Sequence, residues 1–210
     1  MDEERLAEFS RERLDGRPIP DDLRTMLVAQ WEGRTDFRLL LDVTFPEPGE
    51  LSPFLDTGYL SAKELADPDM QAVNAGYAQM SEYAKFVAKL GEDGHWVGYW
   101  MHPDEPADAP PPVIELDTEF SYRSLAGRNL AEACASGQAR YQDEPDVRIT
   151  FTQLADRLAA LGLPLSTRDY DALYDADYAV DPEELTDELI DAEREKRGIR
   201  TARTSSGPAL

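Results

Sequence analysis

The 210-residue chain has one cysteine, two histidines, and 21 lysines and arginines against 43 aspartates and glutamates. With Cys134 alone, no internal disulfide can form, which fits a reducing compartment. The shortage of positive charge leaves a formal net charge of −22. Such a surface repels DNA, RNA and anionic membranes, and it favours a basic partner or simply a well-solvated acidic protein. No run approaches the roughly 18 apolar residues a membrane helix requires. The opening Met-Asp-Glu-Glu-Arg lacks the basic segment and apolar stretch of a secretory leader, so a cytoplasmic, soluble protein is expected. There is no Gly-x-Ser-x-Gly elbow, no glycine-rich phosphate loop and no internal repeat.

What is present is a hydrophobic fraction of 41%, arranged in periodic clusters. Residues 2–14 read as a short, charged, exposed helix. Asp21 to Trp31 reads as a helix with Leu23, Met26, Leu27 and Trp31 on one face, capped by Asp21 or Asp22 and stopped at Gly33. Phe37, Leu39, Leu41, Val43 and Phe45 alternate as in a half-buried strand, which Pro46-Glu-Pro-Gly49 breaks. Ser61 and Glu64 have capping-box spacing. A long helix is expected over 68–88, with Met70, Val73, Tyr77, Met80, Ala84 and Val87 inward. Two strands follow, His95–Trp100 and Val113–Leu116, with Gly98 leaving room for a neighbouring backbone or ring. Ser124 is expected to cap a helix carrying Leu125, Leu130, Ala133 and Cys134 inward. Between Tyr141 and Glu195 there are sixteen acidic residues against four arginines and no lysine. That stretch holds expected helices at 152–161, 166–174 and 182–197, and a disordered tail is expected after Gly198.

Several constellations invite chemistry and fail on spacing. His95 and His102, with Asp93, Asp104, Glu105 and Asp108, lack the rigid ligand spacing of a zinc site, so no metal is expected. A calcium loop starting at Asp169 would place Leu173, Tyr174 and Val180 where an oxygen ligand, a glycine and a glutamate are required. The helix-turn-helix outline over 153–173 would turn Asp169, Asp171 and Asp175 toward phosphates. Cys134 sits between alanines on an inward face, as a packed thiol does. Glu115, Asp117 and Glu119 could pair as acid and base, although outward carboxylates on an exposed strand are commoner. No catalytic residue and no cofactor is assigned.

Three motifs, in order, resemble the SUKH superfamily, which groups fungal Smi/Knr-type regulators with many bacterial immunity proteins. They are the helix opening Pro18-Ile-Pro-Asp-Asp-Leu23, the segment Gly58-Tyr-Leu-Ser-Ala-Lys-Glu-Leu65, and Gly91-Glu-Asp-Gly-His-Trp-Val-Gly-Tyr-Trp100 followed by Pro112-Val-Ile-Glu-Leu-Asp-Thr-Glu119 and Ser124 to Leu130. The loop from Met101 to Pro112 is longer and richer in proline than the pattern, and the acidic C-terminal stretch lies outside it. The resemblance implies an α+β fold, a mixed or antiparallel sheet backed by helices, here with an acidic helical C-terminal extension. The corresponding organisation is a charged segment over 1–16, the SUKH-like domain over 17–137, the extension over 138–198 and a tail over 199–210.

It further implies a non-catalytic protein-binding role, as an immunity protein that occludes a basic toxin domain. The alternatives are a regulatory interaction module without a toxin and, behind it, a hydrolase. The density of acids around aromatics nominates Trp96, Trp100, Asp104, Glu105, Asp108, Glu115, Glu119 and Tyr122 as the partner-binding set.

Overall fold

The computed structural model describes residues 2–140 and 146–199. Along the chain run α1 (Asp2–Arg13), α2 (Asp21–Trp31), α3 (Phe37–Leu41), β1 (Val43–Thr44), α4 (Ala62–Leu65), α5 (Pro68–Met80), β2 (Ala84–Leu90), β3 (His95–Trp100), β4 (Val113–Leu116), β5 (Tyr122–Leu125), α6 (Leu130–Arg140), α7 (Val147–Ala160), a 3-10 turn at Tyr170–Ala172, and α8 (Pro182–Lys196). The protein is α+β. Its five strands pair in sequence order, every neighbour antiparallel. No helix among the described residues is long and apolar enough to cross a membrane. Two compact units form, one from residues 1–50 with 83–182, the other from 51–82 with the chain from 183 onward.

The first unit holds the sheet, α1 to α3, α6 and α7. The β2–β3 turn works because Gly91 and Gly94 take left-handed φ values of 76° and 69°. Gly98 is required where β2 bulges between Phe86 and Ala88, since a Cβ there would lie 2.0 Å from the Lys85 carbonyl oxygen. The hydrophobic core combines Val97, Tyr99, Val113 and Leu125 of the sheet with Leu23, Met26 and Leu27 of α2 and Leu130 and Cys134 of α6. Phe151 and Leu158 of α7 join the same core, as do Leu6 and Phe9 of α1. So α1 is not an exposed charged helix. Its polar residues cover one side while its few apolar ones are sequestered.

Five further expectations are corrected. Phe37–Leu41 is a helical turn, capped by Asp36, whose side chain accepts from the Arg38 N–H; only Val43–Thr44 is strand. Local capping chemistry outweighs the alternation there. The predicted long helix stops at Met80, and Ala84–Leu90 is the second strand, so Val87 packs in the core from a strand. Ser124 lies on β5; α6 starts at Leu130, where the Asn129 side chain accepts from the Glu132 N–H. Over 166–174 only one 3-10 turn forms. The α2 cap also differs: Pro20 precedes the first turn, no side chain caps it, and Asp22 instead accepts from the Ala131 N–H at 3.1 Å. The tail expectation falls, apart from Ile199, outside the described residues.

The second unit contains α4, α5 and most of α8. The capping box at Ser61 and Glu64 is formed in both directions. Asp67 caps α5, with Pro68 in its first turn. Phe54 stacks on Tyr77 at 5.6 Å, and Gly76 lets α5 approach Ile190 of α8 closely. The Arg194 guanidinium grips Asp69 in two contacts, at 2.7 and 3.2 Å.

Candidate functional site: an acid-walled groove beside the first strand

The eight nominated residues do not converge on one surface. Trp100 is 0% exposed, and its indole N–H donates to Glu105 Oε1 at 3.1 Å and to the Val180 carbonyl at 3.0 Å. Glu105 also accepts from the Ala179 and Val180 N–H groups at 3.0 and 3.2 Å, so it ties the loop after β3 to residues 179–180. Glu115 is likewise 0% exposed. The expected exposed aromatics ringed by outward carboxylates are therefore corrected at Trp100, Glu105 and Glu115, which are interior or internally engaged. Trp96 is half-buried, with the Lys89 ammonium 4.6 Å and the Arg13 guanidinium 5.7 Å from its ring centre. Asp104, Asp108 and Glu119 are exposed, and Tyr122 is half-buried on β5.

On the core face of the sheet, His95 Nδ1 lies 2.5 Å from Glu115 Oε1. Glu115 Oε2 and the Tyr99 hydroxyl are buried with no hydrogen-bond partner among the described residues. Burial pushes the Cys134 thiol far above its ordinary pKa, with the Asp22 and Glu115 charges adding to the shift, so it is no nucleophile at neutral pH. Burial also raises Tyr99 well above 10. His102 packs elsewhere, its ring 4.8 Å from Tyr83 and 5.9 Å from Trp100. Among the described residues no cluster of three or more His, Cys, Asp and Glu could hold a metal ion.

An accessible concave surface lies elsewhere in this unit. It is a groove of about 350 Å³ between α1, α2 and the segment around β1. Helical spacing places Arg5, Glu8, Phe9 and Glu12 of α1 on its wall, at intervals of one face of a helix. Leu27, Gln30 and Trp31 of α2 form its floor, and Phe45, Pro46 and Glu47 close the far side. Trp31 and Phe45 pack partly against the core, and Phe45 meets Phe37 edge-to-face at 6.2 Å.

The loop over 46–50 is held to α1 by several bonds. Gly49 N–H donates to Glu12 Oε2 at 3.3 Å, and Arg13 donates to the Glu50 carbonyl at 2.6 Å. Lys89 pairs with Glu50. Gln30 Oε1 accepts from the Phe37 N–H at 2.9 Å, which locks α2 to α3 below the groove. Among the described residues no salt bridge engages Glu8, Glu12, Asp36 or Glu47, all of which line the groove. The groove thus offers aromatic side chains beside the Glu8, Glu12, Asp36 and Glu47 carboxylates, with Arg5 and Arg38 also on its lining. It can bind a cationic or amphipathic group, and it presents no nucleophile–base pair.

Comparison of the chain with known protein families, with curated proteins and with solved structures finds no match in any of the three.

This groove was missed in the sequence for two reasons. Its α1 wall carries the charge pattern of a solvated helix, and its β1 wall falls near the end of a longer alternating run. The 5, 8, 9, 12 spacing, with Phe9 apolar among charges, was the available signal.

Proposed function

We propose that this chain is a non-catalytic protein-binding domain, an immunity-type protein of SUKH-like fold that neutralises a basic toxin domain by covering its functional surface. The observation that carries the reading is the groove in which Glu8, Glu12, Asp36 and Glu47, none in a salt bridge among the described residues, line the surface beside Trp31 and Phe45, on a chain of net charge −22. Long-range attraction between such a surface and a basic domain speeds encounter, and aromatic contact in a desolvated groove slows release. The ordered SUKH-like motifs at Pro18–Leu23, Gly58–Leu65 and Gly91–Glu119 support the same class.

The test is affinity capture from lysate of the source organism at moderate salt, with mass spectrometry of the retained protein. One basic, roughly equimolar partner whose expression alone is toxic, and whose toxicity this chain suppresses, is the expected result. A retained housekeeping partner with no toxicity would replace the immunity assignment with a regulatory interaction module. Turnover of a captured substrate abolished by His95→Ala would replace both.

A further inference from the structure

We infer that the groove is an arginine-binding site, and that Arg5 is its built-in occupant. The inference deepens the protein-binding reading and rests on it for the nature of the partner. The Arg5 guanidinium carbon lies 4.1 Å from the centre of the Trp31 ring. That is the geometry in which a guanidinium gains most from an aromatic face. Arg5 is exposed, and no salt bridge among the described residues involves it. It is therefore held by the ring, in a groove that Glu8, Glu12 and Glu47 also line, without a carboxylate fork of its own.

An exposed cation–π contact is weak, about two- to fivefold in an equilibrium constant, so Arg5 is easily displaced. An arginine from a partner could take the same ring face, laying its planar guanidinium on Trp31 as Arg5 does. Lysine, a compact and strongly hydrated charge without a planar face, stacks less well. The chemistry selects arginine-bearing segments over lysine-bearing ones, beyond simple attraction to positive charge. It also gives the free protein a mild internal competitor that keeps the Trp31 face covered.

The probe is a short unstructured peptide carrying three arginines, and its lysine counterpart, titrated into the full chain at two salt concentrations. The arginine peptide is expected to bind about two- to fivefold more tightly than the lysine peptide. Trp31→Ala should abolish that preference, and Trp31→Phe, which keeps a ring, should retain part of it should the alanine variant fold poorly. Arg5→Gln should tighten the arginine peptide by a further two- to fivefold or so. Arg11→Gln removes the same charge from the same helix outside the groove and should have a smaller effect.

Equal binding of the two peptides would overturn the inference, as would equal effects of Arg5→Gln and Arg11→Gln, since net charge alone would then explain both. A captured toxin whose affinity ignores Trp31→Ala and Arg5→Gln would leave the immunity reading intact and remove this one. Arginine preference that depends on Trp31, in a chain that captures no basic protein, would do the reverse.

Discussion

His95 Nδ1 and Glu115 Oε1 lie 2.5 Å apart, within hydrogen-bond distance, with the histidine a quarter exposed and the glutamate side chain 1% exposed. The pair joins the start of β3 to the middle of β4 on the face that packs the core. Glu115 has no other hydrogen-bond partner among the described residues at its second oxygen. Removing the histidine strands a buried carboxyl group. His95→Ala is expected to cost about 3 kcal/mol of unfolding free energy. Combining it with Glu115→Leu should recover most of that loss, because the unmet polar group is then gone. Urea unfolding of the two variants decides it. Equal stability of the single variant and the parent would mean that the contact contributes nothing.

Glu132 is the opposite case, a buried carboxylate with every oxygen employed. Oε1 accepts from the Ser166 N–H at 2.8 Å, from the Ser166 hydroxyl at 2.7 Å and from the Thr167 N–H at 3.3 Å. Oε2 accepts from the Arg128 N–H at 2.7 Å. One side chain therefore satisfies both the approach to α6 and the chain after α7. Glu132→Leu removes the acceptor from four donors, and about 3 kcal/mol or more should be lost. Glu132→Gln keeps one acceptor oxygen and should cost less than Glu132→Leu. Amide exchange at Ser166 and Thr167 should rise in both variants. Unchanged protection at these two amides would mean that Glu132 does not hold the loop.

Two glycines test the packing of the two units separately. A Cβ at Gly98 would meet the Lys85 carbonyl, and a Cβ at Gly76 would lie 2.6 Å from Ile190 Cγ1 and 3.0 Å from its Cα. Gly98→Ala should cost at least about 3 kcal/mol, since only backbone movement at the bulge can relieve the clash. Gly76→Ala should instead loosen α5 and α8, raising their amide exchange while β2 to β4 keep theirs. Loss of protection in the sheet on Gly76→Ala would show that the second unit does not respond on its own.

Much of the fold was legible because local signals and burial agreed. The β2–β3 turn had its glycines, α7 its Gly162 stop, and the Ser61 capping box its glutamate. The β2 strand was lost inside a helical reading because Ala84 and Val87 happen to continue the helix spacing of Met80; the break comes from three turn residues without proline or glycine. Leu39 shows why alternation failed at α3. It is 85% exposed, so the alternating pattern there did not record a buried face. The candidate site was less legible still. Glu105, Glu115 and Glu132 carry the same letter in the sequence as the free acids of the surface, yet each is spent on internal hydrogen bonds. Only the tertiary arrangement distinguishes a structural carboxylate from one available to a partner.

Asp22 and Glu193 should give the chain opposite responses to acid. Burial raises the Asp22 pKa, against the lowering effect of the Ala131 and Leu23 N–H groups. A carboxyl whose folded pKa is raised adds most stability below its unfolded value of about 3.9, and this contribution is lost as pH rises through the folded pKa. Asp22→Asn should therefore gain on the parent as pH rises from about 3.9 through the raised folded pKa. Glu193 behaves the other way. Hydrogen bonds from Lys196, at 2.6 Å, and from Arg197 bring it down to about 2. Its contribution is present above an unfolded value of about 4.3 and disappears as pH falls through about 2. The gap between the parent and Glu193→Gln should thus hold at neutral pH and close in strong acid. Amide exchange along α2 and α8, measured for the parent and both variants from neutral pH down to about 2, separates the two responses because each residue lies in a different unit. Parallel pH curves for the two variants would mean that neither shift reflects the folded state.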